Sequence, residues 1–312
     1  MAGSNKSQEL AEHLKRGPSY LFLGQDWLKA ISGQDLFLTQ ALRKFGKPDL
    51  EQRGYSTLLQ TAAGTSYPES ISWLHDRCTF IPIPEPFEII SEFPWSGVTT
   101  SAIDDVLVRS LRKPWREVQK ITTKSYQATD PRSRTKLHLW CLFGNVASPD
   151  SDGWPPLTHL SFVARKATAT VLADTIPEMI TSLGVLIIEG YEPSTDWFAP
   201  EAVYQTLSNL NPGQGHFFSA REEHRSNVYL QALASEGKLL FHEQTLAQFL
   251  AEAASSGWLQ LGQTPAEAEF GHNIRVNGQS VVVPDQIKRG WEWSPFTEQK
   301  SRETSLIKRC FS

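Results

Sequence analysis

Cysteine is nearly missing: Cys78, Cys141 and Cys310 are isolated, far apart and odd in number. They can form neither a disulfide framework nor a CxxC zinc site, and this usage favours a reducing cytoplasm. No apolar run approaches the roughly 18 residues that a membrane span needs. The polar stretch Met1–Lys15 has no hydrophobic centre, so it does not read as a secretory signal. Surplus positive charge is lacking too, since the formal net charge is −4, which argues against direct nucleic-acid binding. The sequence has no H-E-x-x-H, no Cys/His cluster, no G-x-S-x-G and no G-x-x-x-x-G-K-S/T. A zinc enzyme, a hydrolase elbow and a P-loop are therefore not expected, and neither is a bound metal.

What is present points to a folded α/β chain. Hydrophobic residues make up 40% and charged residues 21% of 312 positions, enough for a core and unlike a disordered segment. Gln8–Lys15 has helical spacing, stopped by Gly17-Pro18. Tyr20-Leu21-Phe22-Leu23 reads as a buried strand ending at Gly24, and Asp35–Phe45 as an amphipathic helix capped by Gly46. Strand, glycine turn and helix form the opening unit of a nucleotide-binding sheet. Residues 47–95 read as a helical insertion, with a helix near Tyr67–His75 and an extended proline run from Ile81 to Pro86.

Further strands are expected at Gly97–Thr100, Glu117–Thr122, Leu137–Phe143, Gly184–Ile188 and Gly215–Ser219. Helical patterns follow or separate them at 104–111, 161–181, 199–208, 226–235 and 243–256. This alternation predicts a Rossmann-like, doubly wound parallel sheet over residues 1–262. Near the end, Asn277-Gly278 lies between two β-prone runs, a hairpin signal. Residues 263–312 are expected to be a C-terminal extension, or a linker to a further downstream region.

Four strand ends carry the candidate chemistry. Gly24-Gln25-Asp26 would let backbone approach a pyrophosphate at a helix N-terminus, and the plainer alternative is a simple strand-to-helix turn. Thr99 to Asp105 places hydroxyls and carboxylates where α/β sheets bind ligands, the alternative being a helix N-cap from Ser101 or Asp104. Leu142-Phe143-Gly144-Asn145-Val146 is a third strand end with a glycine. The fourth runs from Ile188 through Gly190-Tyr191 to Thr195-Asp196, where a helix cap is again the simple account. His159, after Gly153-Trp154-Pro155-Pro156, is the histidine placed to face a cleft, whereas His138 reads as a core residue. The ten tryptophans are dispersed and read mostly as core.

Taken in order, these segments resemble the sirtuin-like domain of bacterial anti-phage defence proteins, over about residues 18–220. Phe22-Leu23-Gly24-Gln25-Asp26 loosely matches that family's Gly-Ala-Gly-x-Ser loop. Thr100-Ser101-Ala102-Ile103-Asp104 aligns with Thr-x-Asn-(Ile/Tyr)-Asp, Leu142-Phe143-Gly144 with Leu-His-Gly, and Gly190-Tyr191 with Asp196 resembles Gly-Tyr-Ser-x-x-Asp. The resemblance implies NAD+ bound across the strand ends as substrate, without a metal, and hydrolysed to nicotinamide and ADP-ribose. It places Gly24, Gln25 and Asp26 at the pyrophosphate and Ala102, Thr100 and Asp104 at the reacting end. Ser101, Gly144, Gly190, Tyr191 and Asp196 become cofactor contacts. It also implies a homo-oligomer or a larger defence assembly.

The zinc module of protein-deacylating sirtuins has no counterpart here, so deacylation is the poorer expectation. The family's catalytic Asn falls at Ala102 and its catalytic His at Phe143. An Asn→Ala substitution that disarms an NAD+ hydrolase is one explanation; a naturally silent nucleotide-binding or oligomerisation module is the other. Nicotinamide leaves as a neutral molecule, so the protein must orient the ribose, stabilise an oxocarbenium-like transition state and place a water. Losing the Asn amide is expected to cost on the order of 10²–10³ in rate.

Overall fold

Ser19–Leu23 is buried at every position and forms β1, the middle strand of a seven-stranded sheet. The structure is a computed structural model and describes residues 2–46, 54–61, 66–122, 135–180, 184–261, 272–276 and 279–283. The chain divides into two units, Met1–Gly262 and Gln263–Ser312.

In the first unit the other strands are β2 (Gly97–Thr100), β3 (Glu117–Ile121), β4 (Lys136–Cys141), β5 (Val185–Glu189), β6 (Gly215–Phe217) and β7 (Leu239–Phe241). Their order is β3-β4-β2-β1-β5-β6-β7, and every pairing is parallel. This is the expected Rossmann-like, doubly wound α/β architecture. The central strands are apolar throughout because helices cover both faces of a parallel sheet. The chain moves outward from β1 through β2, then returns to lay β5 on the other side. Strand order therefore reverses between β1 and β5, the place where such sheets leave a crevice at their carboxyl ends.

The helices are α1 (Ala2–Arg16), α2 (Trp27–Ser32), α3 (Leu36–Lys44), α4 (Leu58–Thr61), α5 (Tyr67–Phe80), α6 (Glu85–Glu92) and α7 (Val106–Leu111). They continue with α8 (His159–Ala173), α9 (Thr175–Met179), α10 (Pro200–Leu207), α11 (Glu222–Ser226), α12 (Val228–Ser235) and α13 (Leu246–Ser255). One group packs α13 against α1 and α6, and α6 against α2 and α7; another packs α10 against α9 and α12. No helix among the described residues is long and apolar enough to cross a membrane.

Three details depart from expectation. The proline run is not extended throughout: Pro84 is an N-cap and Pro86 lies in the first turn of α6, where a missing N–H costs nothing. The pattern over 161–181 is broken at Asp174, which caps α8 and precedes α9. Helices α2 and α11 and strand β7 are too short to show a period. Buried Arg116 ties two helix ends together, donating to the Ser91 carbonyl in the last turn of α6, to the Phe93 carbonyl just after it and to the Leu111 carbonyl of α7.

In the second unit β8 (His272–Val276) and β9 (Gln279–Val283) pair antiparallel. Asn277 and Gly278, the expected turn, lie outside the described residues.

Candidate functional site

The carboxyl ends of β1 and β5 meet glycine to glycine. A side chain on Gly24 would put its Cβ 2.2 Å from the Gly190 carbonyl oxygen, and one on Gly190 would lie 2.4 Å from Trp27 Cα. Gly190 also has φ +67°, a conformation that glycine adopts without strain. The two turns are then laced by backbone bonds: Gly24 N–H donates to Glu189 O and Asp26 N–H to Gly190 O, each at 3.0 Å.

Asp196 joins three of the strand ends. Its Oδ2 accepts from Gln25 N–H and from the Ser101 hydroxyl, both at 2.8 Å, while Oδ1 accepts from Phe198 N–H at 2.8 Å. Gln25 returns the contact by accepting Trp197 N–H on Oε1 at 3.1 Å. Burial pushes the Asp196 carboxyl up to about 7 despite these donors, with Asp26 adding repulsion. Glu189, wholly buried at the end of β5, is likewise raised by burial to about 7; its Oε1 accepts the Ser219 hydroxyl at 2.7 Å.

The expected pyrophosphate turn is geometrically present, but its amides are engaged. Gly24, Gln25 and Asp26 donate as described, and Trp27 N–H donates back to Gly24 O at 3.2 Å. The glycine serves close strand-end packing rather than an open anion cradle.

At the expected reacting end, Thr100 Oγ1 donates to Leu23 O at 2.8 Å and accepts Ala102 N–H at 2.9 Å. Ala102 itself is sealed, with 0% of its surface exposed. Asp104 is buried too. Its Oδ2 accepts the Trp27 indole N–H at 3.0 Å, and its Oδ1 takes Val106 N–H at 2.9 Å, so it caps α7. Burial raises this carboxyl to about 6, against the pull of those donors.

Phe143 is fully buried, stacked on Phe162 at 5.8 Å and edge-on to Trp197 at 5.6 Å. Gly144 has φ +82°, and a Cβ there would strike the Gly153 carbonyl at 2.5 Å. Tyr191 is buried, and its hydroxyl donates to Phe198 O. His159 opens α8 on an exposed surface and takes no part in the cleft described next.

That cleft, of about 650 Å³, lies over the β1, β5 and β6 ends. Of the residues singled out from sequence, Asp26 and Thr195 line it, together with Glu192 and Ser194 from the same fourth strand end; its other charged walls are Lys29, Asp35, Arg221 and Glu223. Lys29 Nζ stands 3.9 Å from Asp26, and Arg221 pairs with Glu192. Burial opposes ionisation of Glu192, yet His224, Ser194 and Arg221 hold its carboxyl down at about 2. Asp35 caps α3 and accepts the Tyr55 hydroxyl at 2.8 Å; burial raises it to about 7. Carboxylates of this kind accept sugar hydroxyls, and the two cations offer charge to a phosphate.

Sequence reasoning passed over Lys29, Asp35 and Arg221 as site residues because each stands in a turn or short helix whose direction only the tertiary fold decides. Among the described residues, no group of three or more His, Cys, Asp or Glu is arranged to hold a metal. In comparisons with known proteins, no protein-family model and no curated sequence matches the chain.

Proposed function

We propose that this chain is a sirtuin-like nucleotide-binding module whose glycosidase centre is closed. Its cleft would take the sugar and phosphate portion of NAD+ or ADP-ribose, as substrate or as bound ligand. One observation carries the reading: an open, charged cleft sits at the β1/β5 reversal while Ala102, at the would-be reacting end, has no exposed surface. Asp26 and Glu192 are the partners for ribose hydroxyls, and Lys29 and Arg221 for phosphate. Calorimetry with NAD+ and with ADP-ribose, run beside a nicotinamide-release assay, tests it. Both ligands should bind and no nicotinamide should appear. Arg221→Ala should weaken both by about tenfold, as removal of one charge-assisted contact does. Absence of heat with either ligand would refute the reading.

The second reading is an NAD+ hydrolase, an effector of bacterial antiviral defence working within an oligomer, disarmed by alanine where the family has asparagine. The convergence of Gln25, Ser101 and Asp196 beside Thr100 and Asp104 favours it. Ala102→Asn separates the two. Under this reading the variant keeps its melting temperature and releases nicotinamide faster by on the order of 10²–10³. Under the first, an amide forced into a sealed position costs about 1–3 kcal/mol and the protein stays inert.

A further inference from the structure

Two buried donors behind the cleft have no acceptor among the described residues. Gln25 is held in one orientation, because its Oε1 accepts the Trp197 main-chain N–H at 3.1 Å; its Nε2 is therefore the orphaned end. The Trp197 indole Nε1 is orphaned as well. The two residues are only 1% and 4% exposed. Native interiors seldom leave such groups unmatched, and a matched pair of exceptions calls for an explanation.

The surroundings supply one. The Trp197 ring meets Tyr55 at 6.2 Å and Phe143 and Phe162 at 5.6 Å each, every contact edge-on. Phe143 and Phe162 lie nearly parallel, 15° apart. A cage of this kind accommodates one flat ring, and here the indole fills it. The cage adjoins the cleft. Gly54 and Thr195 line the cleft, and Tyr55 and Trp197 follow them by one and two residues in the chain. The two segments touch there: a Cβ on Gly54 would lie 3.0 Å from Thr195 Cβ. The main chain beside the indole is pinned, since Phe198 N–H donates to Asp196 and Phe198 O accepts the Tyr191 hydroxyl. The indole, by contrast, is held by ring contacts and by no hydrogen bond among the described residues.

We propose that Trp197 plugs a base subsite: its indole leaves the aromatic cage when a planar, carbonyl-bearing heterocycle enters, and Gln25 Nε2 donates to that carbonyl. The exchange swaps one flat ring for another, so the cage contacts are kept. It also gives both orphaned donors a partner, the ligand for Gln25 and water for the displaced indole. The inference rests on the nucleotide reading of the cleft and adds to it a place for the second base.

NAD+ and ADP-ribose separate the two claims, because ADP-ribose lacks the second base. The wild-type protein should bind NAD+ no more tightly than ADP-ribose, since entry of the ring carries the cost of opening the plug. Trp197→Ala should bind NAD+ about tenfold more tightly than ADP-ribose, as removal of a conformational penalty predicts. Trp197→Phe, which keeps a ring in the cage, guards against loss of folding and should give a smaller gain. It also assigns the Trp197 signal in fluorine NMR of wild-type protein carrying 5-fluorotryptophan. That signal should move with NAD+ and stay put with ADP-ribose. If ADP-ribose binds, yet the variants treat both ligands alike and the signal is unmoved by NAD+, the plug is wrong and the cleft reading survives. If neither ligand binds wild type or variants, the cleft reading fails and takes the plug with it.

Discussion

At the level of single residues, the strand-end glycines and acids were legible by type but not by partner. Gly24 and Gly190 are 166 positions apart by subtraction of their numbers, and only the β1–β5 register brings them face to face. Ala102 and Phe143 read as site residues because motifs place them at strand ends; both are buried, and Phe143 is covered by Phe162 of α8 and by Trp197, which no local pattern discloses. The same geometry makes Gly190 intolerant of change. Gly190→Ala adds a methyl at 2.4 Å from Trp27 Cα on a residue with φ +67°, so it should lose about 2–4 kcal/mol. Asp196→Asn should cost about 1–3 kcal/mol, because an amide N–H₂ must then face one of the donors now bound by a carboxylate oxygen. Chemical denaturation of both variants checks this, and wild-type midpoints would remove Asp196 from its place as the joint between strand ends.

At the level of elements, strands were read well where burial is unbroken, as in β5 and even the three-residue β6, and poorly where a short edge strand is only partly buried, as in β7. Proline misled because its effect depends on position: Pro86 begins α6 rather than preventing it. No sequence pattern announced Arg116. Its guanidinium lies buried and satisfies carbonyls at the ends of α6 and α7. Burial lowers its pKa to about 10, with Glu92 opposing the shift. Helix ends offer partial negative charge, which supports a buried cation there beside the field of Glu92. Arg116→Met keeps the apolar stem and strands three carbonyls, so a loss of about 3 kcal/mol or more is expected. Urea unfolding should show a lower midpoint at unchanged slope. A variant as stable as wild type would mean that water replaces the guanidinium freely.

At the level of the whole molecule, alternating strand and helix sufficed to predict a doubly wound sheet, whereas the crevice it creates could be located only once strand order was known. Buried acids gather at the carboxyl ends of the sheet's strands. Burial raises Asp35, Asp196 and Glu189 to about 7 and Asp104 to about 6. In the unfolded chain these groups titrate near 4. The native state therefore binds their protons more tightly, and their contribution to stability is greatest below pH 4 and is lost as pH rises through 6 to 7. Two groups act in the opposite sense. His216 is lowered to about 3 by burial and by His242, and Glu192 is held at about 2. Each contributes stability above its ordinary pKa that is lost as pH falls, from about 6.5 downward for the histidine and from about 4.5 downward for the glutamate. Four carboxyls outweigh one imidazole between pH 5 and 8, so the melting temperature should rise by several degrees as pH is lowered from 8 to 5, then fall under stronger acid. Thermal unfolding at intervals across this range, at constant ionic strength, reads the curve directly. Asp35→Asn together with Glu189→Gln should flatten its alkaline limb. A wild-type profile flat from pH 5 to 8 would mean that these carboxylates are solvated or paired at the sheet's carboxyl edge, and the crevice would then be more open than its geometry indicates.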